Sequence, residues 1–164
     1  MIKEEQLQDF TDFLLEFRDQ FCEALEKVDG KSQFARKTWQ REGGAGGGVM
    51  SVLRGSTVEK AGANYSKVHG DQYPALESEY KGQPFMATGF STIAHMYNPH
   101  APIGHMNIRL LTVGKHFWVG GGCDLTPFIP YPEDTQYFHD ALKKTCENWQ
   151  PGSYETYKAW CDRY

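Results

Sequence analysis

The stretch HMNIRLLTVGKHFWVGGGCDLTP, residues 105–127 of a 164-residue chain, decides how the rest is read. Gly114-Lys115 lies between two strand-like runs, and a Gly-X pair in that place predicts a two-residue type II′ hairpin turn. Centring the hairpin there sets Val113 opposite His116, Arg109 opposite Gly120, Asn107 opposite Gly122 and His105 opposite Asp124. Directly opposed residues share a sheet face, and every second residue of a strand returns to it. His105, Asn107, Arg109 and Asp124 are therefore expected on one side, with bare glycine facing Asn107 and Arg109. Met106, Ile108 and Leu110 are expected on the other, as core.

Upstream, FMATGFSTIAHMY (85–97) reads as a further strand, followed by the turn Asn98-Pro99-His100-Ala101-Pro102. Centred on His100, that turn sets His95 opposite His105 and Ser91 opposite Arg109. Ser91 and His95 thus join the polar face. Each of these residues has a plain structural account. Arg109 could pair with Asp124, His105 could bond within the sheet, and Asn107 could satisfy a loop. Gathered beside unprotected backbone, they are costly to bury without partners. Glycine within a strand also often marks close approach of a ligand. The expectation is a flat ligand on the sheet, with Arg109 gripping a carboxylate and His105 exchanging protons.

Working outward, Leu7, Phe10, Leu14, Phe17, Phe21, Leu25 and Val28 recur at three and four, predicting a helix over 3–28 that Asp29-Gly30 ends. Val49 to Leu53 and Ser56 to Lys60 are expected to pair across Arg54-Gly55. The glycine run before them (43–48) lacks the Gly-Lys-Ser/Thr of a phosphate loop and reads as a flexible approach to a strand, with a glycine-lined ligand surface as the alternative. Residues 71–84 read as a loop. Pro132, Glu133 and Asp134 open a helix to about Trp149. Pro151-Gly152 breaks it, and Tyr154, Tyr157, Trp160 and Tyr164 begin another apolar stripe. That stripe reaches the last residue uncapped, which is read as a sign that the native chain continues.

Net charge is −4 and aromatics make up 14 %, with no basic surplus for nucleic acid. No apolar run is long enough for a membrane span. The acidic opening MIKEEQLQDF has neither a signal-peptide nor a transit pattern, so a cytoplasmic protein is expected. Cys22, Cys123, Cys146 and Cys161 form no zinc-ribbon spacing and are expected to be free thiols, with Cys123 a small packing residue rather than a redox centre.

HMNIR (105–109), GGGCDLTP (120–127), ATGFS (87–91), EKAG (59–62), WQREGG (39–44), FHDALKKTC (138–146) and YKAWCD (157–162) together resemble the oxygen-dependent coproporphyrinogen III oxidases. The blocks occur in order over nearly the whole chain. The resemblance implies an α+β fold, a broad antiparallel sheet flanked by helices on both faces. Residues 1–164 would be one domain, the N-terminal portion of that fold in truncated form. It implies oxidative decarboxylation of two propionates of coproporphyrinogen III to vinyl groups, giving protoporphyrinogen IX in haem biosynthesis. Molecular oxygen would be co-substrate, with no required cofactor, in a homodimer. His105 would be the acid/base residue with Asp124 close by. Ser91, Asn107, Ile108 and Arg109 would line the substrate site, Ile108 through its backbone. Some bacterial relatives suggest a divalent metal at His95, His105 and His139.

Such residues suit the chemistry. Arginine binds a carboxylate through two parallel bonds. Imidazole is the side chain suited to proton transfer near neutrality. An aspartate can accept hydrogen bonds from pyrrole N–H groups. Two other readings remain at this point: a non-catalytic tetrapyrrole-binding or dimerising fragment of the same family, and a histidine-metal hydrolase.

Overall fold

Helix α1 (Glu4–Asp29) forms where the three-and-four apolar pattern predicts, and Gly30 ends it in the left-handed conformation at φ 78°. The computed structural model describes residues 2–74 and 79–164. After α1 come β1 (Ala35–Gln40), β2 (Gly46–Leu53), β3 (Val58–Gly70), β4 (Phe85–Met96), β5 (Ile103–Val113) and β6 (His116–Thr126). Two helices follow, α2 (Pro132–Trp149) and α3 (Ser153–Arg163). The six strands form one antiparallel sheet in sequential order, which makes the fold α+β.

One face of the sheet carries the core. Leu14, Cys22 and Leu25 of α1 pack with Leu53, Val58, Ala61, Ala63, Phe90 and Ala94. The three alanines are small enough to let the helix lie close. Phe90 is the largest fully buried side chain, and Phe17 and Phe21 meet its ring edge-on at 5.6 and 6.0 Å between centroids. Met106 and Ile108 pack against this cluster and Leu110 is buried, as their alternation predicts. Helix α1 thus forms one helical layer. The opposite face is open over much of its width, with Trp39, Met50, Ile93 and Trp118 exposed.

Three features depart from the sequence expectations. Strand β1 is unforeseen: ARKTWQ is exposed along its length and has no apolar alternation. Backbone pairing with β2 makes it a strand, and Arg36 reaches Asp19 of α1 at 2.8 Å. The β2–β3 connection is longer than the two-residue link across Arg54-Gly55. Leu53 pairs with Ala61, and Ser56 and Thr57 lie in the loop. The cause is Asp29, whose Oδ1 accepts the backbone N–H groups of Ser56, Thr57 and Val58 at 2.7–3.0 Å. Its Oδ2 accepts that of Ser32 at 3.0 Å. These bonds hold the carboxyl well below the usual carboxylate range.

The third departure is the β4–β5 register. Ser91 pairs with Asn107, Ile93 with His105 and Gly89 with Arg109, two residues from the expected alignment. His95 instead faces Lys60 of β3. The turn is set by Asn98: its carbonyl accepts from Ala101 N and its side chain from His100 N, both at 3.0 Å. Pairing is consequently centred on Pro99 rather than His100. A shift of two leaves every side chain on its expected face, because strand side chains repeat every two residues. The loop expected over 71–84 agrees where it is described; residues 75–78 of it lie outside the described residues.

Candidate active site on the open sheet face

The β5–β6 hairpin has the predicted register throughout: His105 opposite Asp124, Asn107 opposite Gly122, Arg109 opposite Gly120 and Val113 opposite His116. Gly114 has φ 56° and among the described residues no non-glycine residue, Lys115 included, has positive φ, as a II′ rather than a I′ turn requires. Successive pairings then lay the open face out in rows. One row runs Asn64, Ser91, Asn107, Gly122 from β3 to β6. A parallel row runs Ser66, Gly89, Arg109, Gly120, and another Gly62, Ile93, His105, Asp124. From β3 to β6 this surface is about 14 Å wide at the usual strand spacing.

Its floor is bare backbone. A methyl group placed on Gly120 or Gly122 would meet nothing within 4 Å. Gly89 differs: a Cβ there would lie 2.8 Å from Arg109 Cγ, so the arginine stem lies across the missing side chain. Farther out, a Cβ on Gly48 would lie 3.0 Å from Trp39 Nε1, so the indole covers that glycine in the same way.

His105 and Asp124 are directly joined, Nδ1 to Oδ2 at 3.0 Å. An ionised carboxylate only accepts hydrogen bonds, so the shared proton belongs on Nδ1 and Nε2 is left to a ligand. The His105 side chain keeps 39 % of its surface exposed and Asp124 56 %, so both are accessible. Arg109 is exposed on the same face. The Asn64 side-chain oxygen accepts from Ser51 N at 3.2 Å, which places its NH₂ on the Gly62 side.

The expected residues thus divide. Ser91, His105, Asn107, Arg109 and Asp124 come together, and His95 lies on the same face near its end. Ile108 points into the core side, leaving only its backbone for the site. The three histidines of the metal expectation are not assembled. His95 faces Lys60, and His139 of α2 has its Nδ1 hydrogen-bonded with Tyr154 Oη at 2.9 Å. Among the described residues no group of three or more His, Cys, Asp or Glu is placed to hold a metal ion. His95, His105 and His139 as placed therefore do not fit a resident divalent ion. Asn64, Ser66 and Gly89 share the face but were not singled out. Gly89 follows from the period of two on β4, two residues before Ser91, and carrying the strand pairing one strand further to β3 would have found Asn64 and Ser66.

Helix α2 follows β6 and borders a cleft at its end. Its preceding residue Tyr131 hydrogen-bonds His100 of the β4–β5 turn. A cleft of about 240 Å³ lies between Asp124, Leu125 and the α2 residues Thr135, Phe138 and His139. Cys123 borders this cleft, and burial pushes its thiol up, with the charge of Asp124 adding to the effect. A raised thiol favours the neutral form over the thiolate. Cys22 is buried in the core, its thiol likewise raised by burial. Among the described residues no helix is long and apolar enough to cross a membrane.

Comparison with known proteins agrees with the motif resemblance. The family model described as coproporphyrinogen III oxidase matches residues 9–164. An oxygen-dependent coproporphyrinogen-III oxidase of Prochlorococcus marinus strain AS9601 is 41 % identical over 155 residues, covering 92 % of this chain and 45 % of its own. The protein of the same name from strain MIT 9313 is 39 % identical over 157 residues, covering 93 % of this chain and 45 % of its own. The chain spans about half the length of these relatives. With a match that runs through both strands of the site hairpin and on to Tyr164, the chain belongs to the coproporphyrinogen III oxidase family.

Proposed function

We propose that this protein takes part in haem biosynthesis as an oxygen-dependent coproporphyrinogen III oxidase, converting two propionates of its substrate to vinyl groups. The observation that carries the reading is the His105–Asp124 pair on the same bare sheet face as Asn107 and Arg109. Each turnover step removes carbon dioxide and two electrons from one propionate. Oxygen takes those electrons with the β-hydrogen and a solvent proton, leaving as hydrogen peroxide. No organic cofactor is required by this balance, since the electron-rich pyrrole supplies the electrons directly.

Each residue has a part that its position supports. Arg109 binds a propionate carboxylate through paired N–H groups. Asn107 and Ser91, side by side, hydrogen-bond the substrate and fix its rotation. Gly120 and Gly122 let the macrocycle approach the backbone. Asp124 accepts from a pyrrole N–H or from His105 Nδ1, and His105 Nε2 relays the pyrrole proton. The reading includes a cytoplasmic location and a homodimer.

A second reading has its own support. Because the chain spans about half of its relatives, it could bind the tetrapyrrole without turning it over. An oxygen-electrode assay with coproporphyrinogen III separates the two. Uptake of one oxygen per vinyl group formed, absent under nitrogen, supports the oxidase. Tight binding without oxygen uptake supports the binding module, and no binding ends both.

A further inference from the structure

A β-bulge in β3 turns one lysine onto the open face. Val58 pairs with Met96 and Lys60 with His95, so Glu59 is the extra residue. Val58 is fully buried on the helix side, as are Ala61 and Ala63. Without the bulge, Lys60 would share the buried side of Val58, two residues away. With it, Lys60 stands beside His95 on the polar face and is exposed. Bulges commonly re-aim a side chain beside an active site. Asn64 continues the track: its oxygen is tied to Ser51 N, and its amide nitrogen lies 3.5 Å from where a Cβ of Gly62 would stand. Donor groups therefore run from Arg109 through Asn107, Ser91 and Asn64 to Lys60.

We propose that Lys60 and Asn64 form a second carboxylate subsite, distinct from Arg109, that holds a propionate on the far side of the tetrapyrrole. The inference rests on the proposed substrate and deepens it. Arg109 and Lys60 lie six residues and two strands apart, about 22 Å between Cα atoms at standard spacings. Extended arginine and lysine stems shorten that gap to the reach of a macrocycle whose propionates sit on opposite pyrroles. Carboxylates on opposite pyrroles bridge that gap with relaxed stems, whereas those on adjacent pyrroles would need both stems fully extended, at a cost in side-chain entropy. The subsite thus favours a ring with one propionate on each pyrrole over a ring with two on neighbouring ones.

The test is a fluorescence titration of the protein with coproporphyrin III, which has four carboxylates, and mesoporphyrin IX, which has two on adjacent rings. Lys60→Gln is expected to weaken the tetracarboxylate about fivefold, the scale of one accessible ion pair, and to leave the dicarboxylate unchanged. Asn64→Asp keeps the acceptor for Ser51 N but replaces the NH₂ with negative charge, and should weaken the tetracarboxylate further. Wild-type binding of coproporphyrin with both variants unaffected, or with both porphyrins weakened equally, overturns the subsite alone. A wild-type protein that binds neither porphyrin overturns the subsite together with the proposed substrate.

Discussion

Three consecutive glycines in β6 give the sharpest test of the site, because the sheet treats them differently. Gly120 and Gly122 face the open side with nothing within 4 Å of an added methyl, whereas a Cβ on Gly121 would lie 2.3 Å from the backbone oxygen of Asn107 and 3.2 Å from Ile108 Cα. Backbone cannot step aside as a flexible side chain can, so Gly121→Ala should cost about 1–3 kcal/mol, the range for overpacked sites. Gly122→Ala removes the conformational freedom of a strand glycine and should gain about 0.5–1 kcal/mol. With a urea m-value of about 2 kcal/mol/M, the midpoint should fall by about 0.5–1.5 M for the first and rise by about 0.25–0.5 M for the second. For Gly122→Ala, ligand affinity should move the opposite way to stability. The Gly122→Ala methyl occupies the surface on which the macrocycle is proposed to lie and should weaken porphyrin binding by about 1–3 kcal/mol. Equal destabilisation by both substitutions, or a Gly122→Ala protein that binds porphyrin as tightly as wild type, would refute the argument that these glycines are a ligand floor.

Three other expectations follow from named contacts. Arg109→Ala should weaken binding of a carboxylate-bearing porphyrin by about 1.5–3 kcal/mol, the value of hydrogen bonds to a charged group, and titration of the variant checks it; unchanged affinity removes Arg109 from the clamp role. His105→Ala should lower the rate of oxygen uptake far more than porphyrin affinity, a split that steady-state kinetics resolves. Asp29→Ala should lower the thermal midpoint by releasing the loop at Ser56, Thr57 and Val58. Because the folded-state value of Asp29 is depressed, its contribution is fully present above about pH 4, the ordinary carboxylate range, and is lost as pH falls toward the folded-state value. The midpoints of wild type and variant should therefore converge on acidification, and a difference that stays constant below pH 4 would contradict the assignment.

The site hairpin was legible because its information is local. Gly114-Lys115 fixes the turn, the turn fixes the register, and a period of two fixes which side chains share a face. Helix α1 was legible for a similar reason, since its apolar spacing and its terminal glycine act within a few residues. The β4–β5 pairing was legible as to face but not as to partner. A longer turn admits more than one centre, and the bonds from Asn98 to His100 and Ala101 choose between them.

What only the tertiary structure decided are the features that depend on groups far apart in the chain. Strand β1 exists because β2 supplies hydrogen-bond partners, not because ARKTWQ has strand periodicity. The 54–57 loop takes its length from a carboxylate at position 29, more than twenty residues earlier. His139 is engaged by Tyr154 on the next helix, a partner that no spacing in the sequence reveals. Lys60 joins the polar face only through a bulge that no alternation rule reveals. Sequence by itself determined which residues could share a face, because side-chain direction is set by neighbouring dihedrals. Folding determined which of those faces met, because that depends on long-range pairing and on where unsatisfied backbone groups find partners.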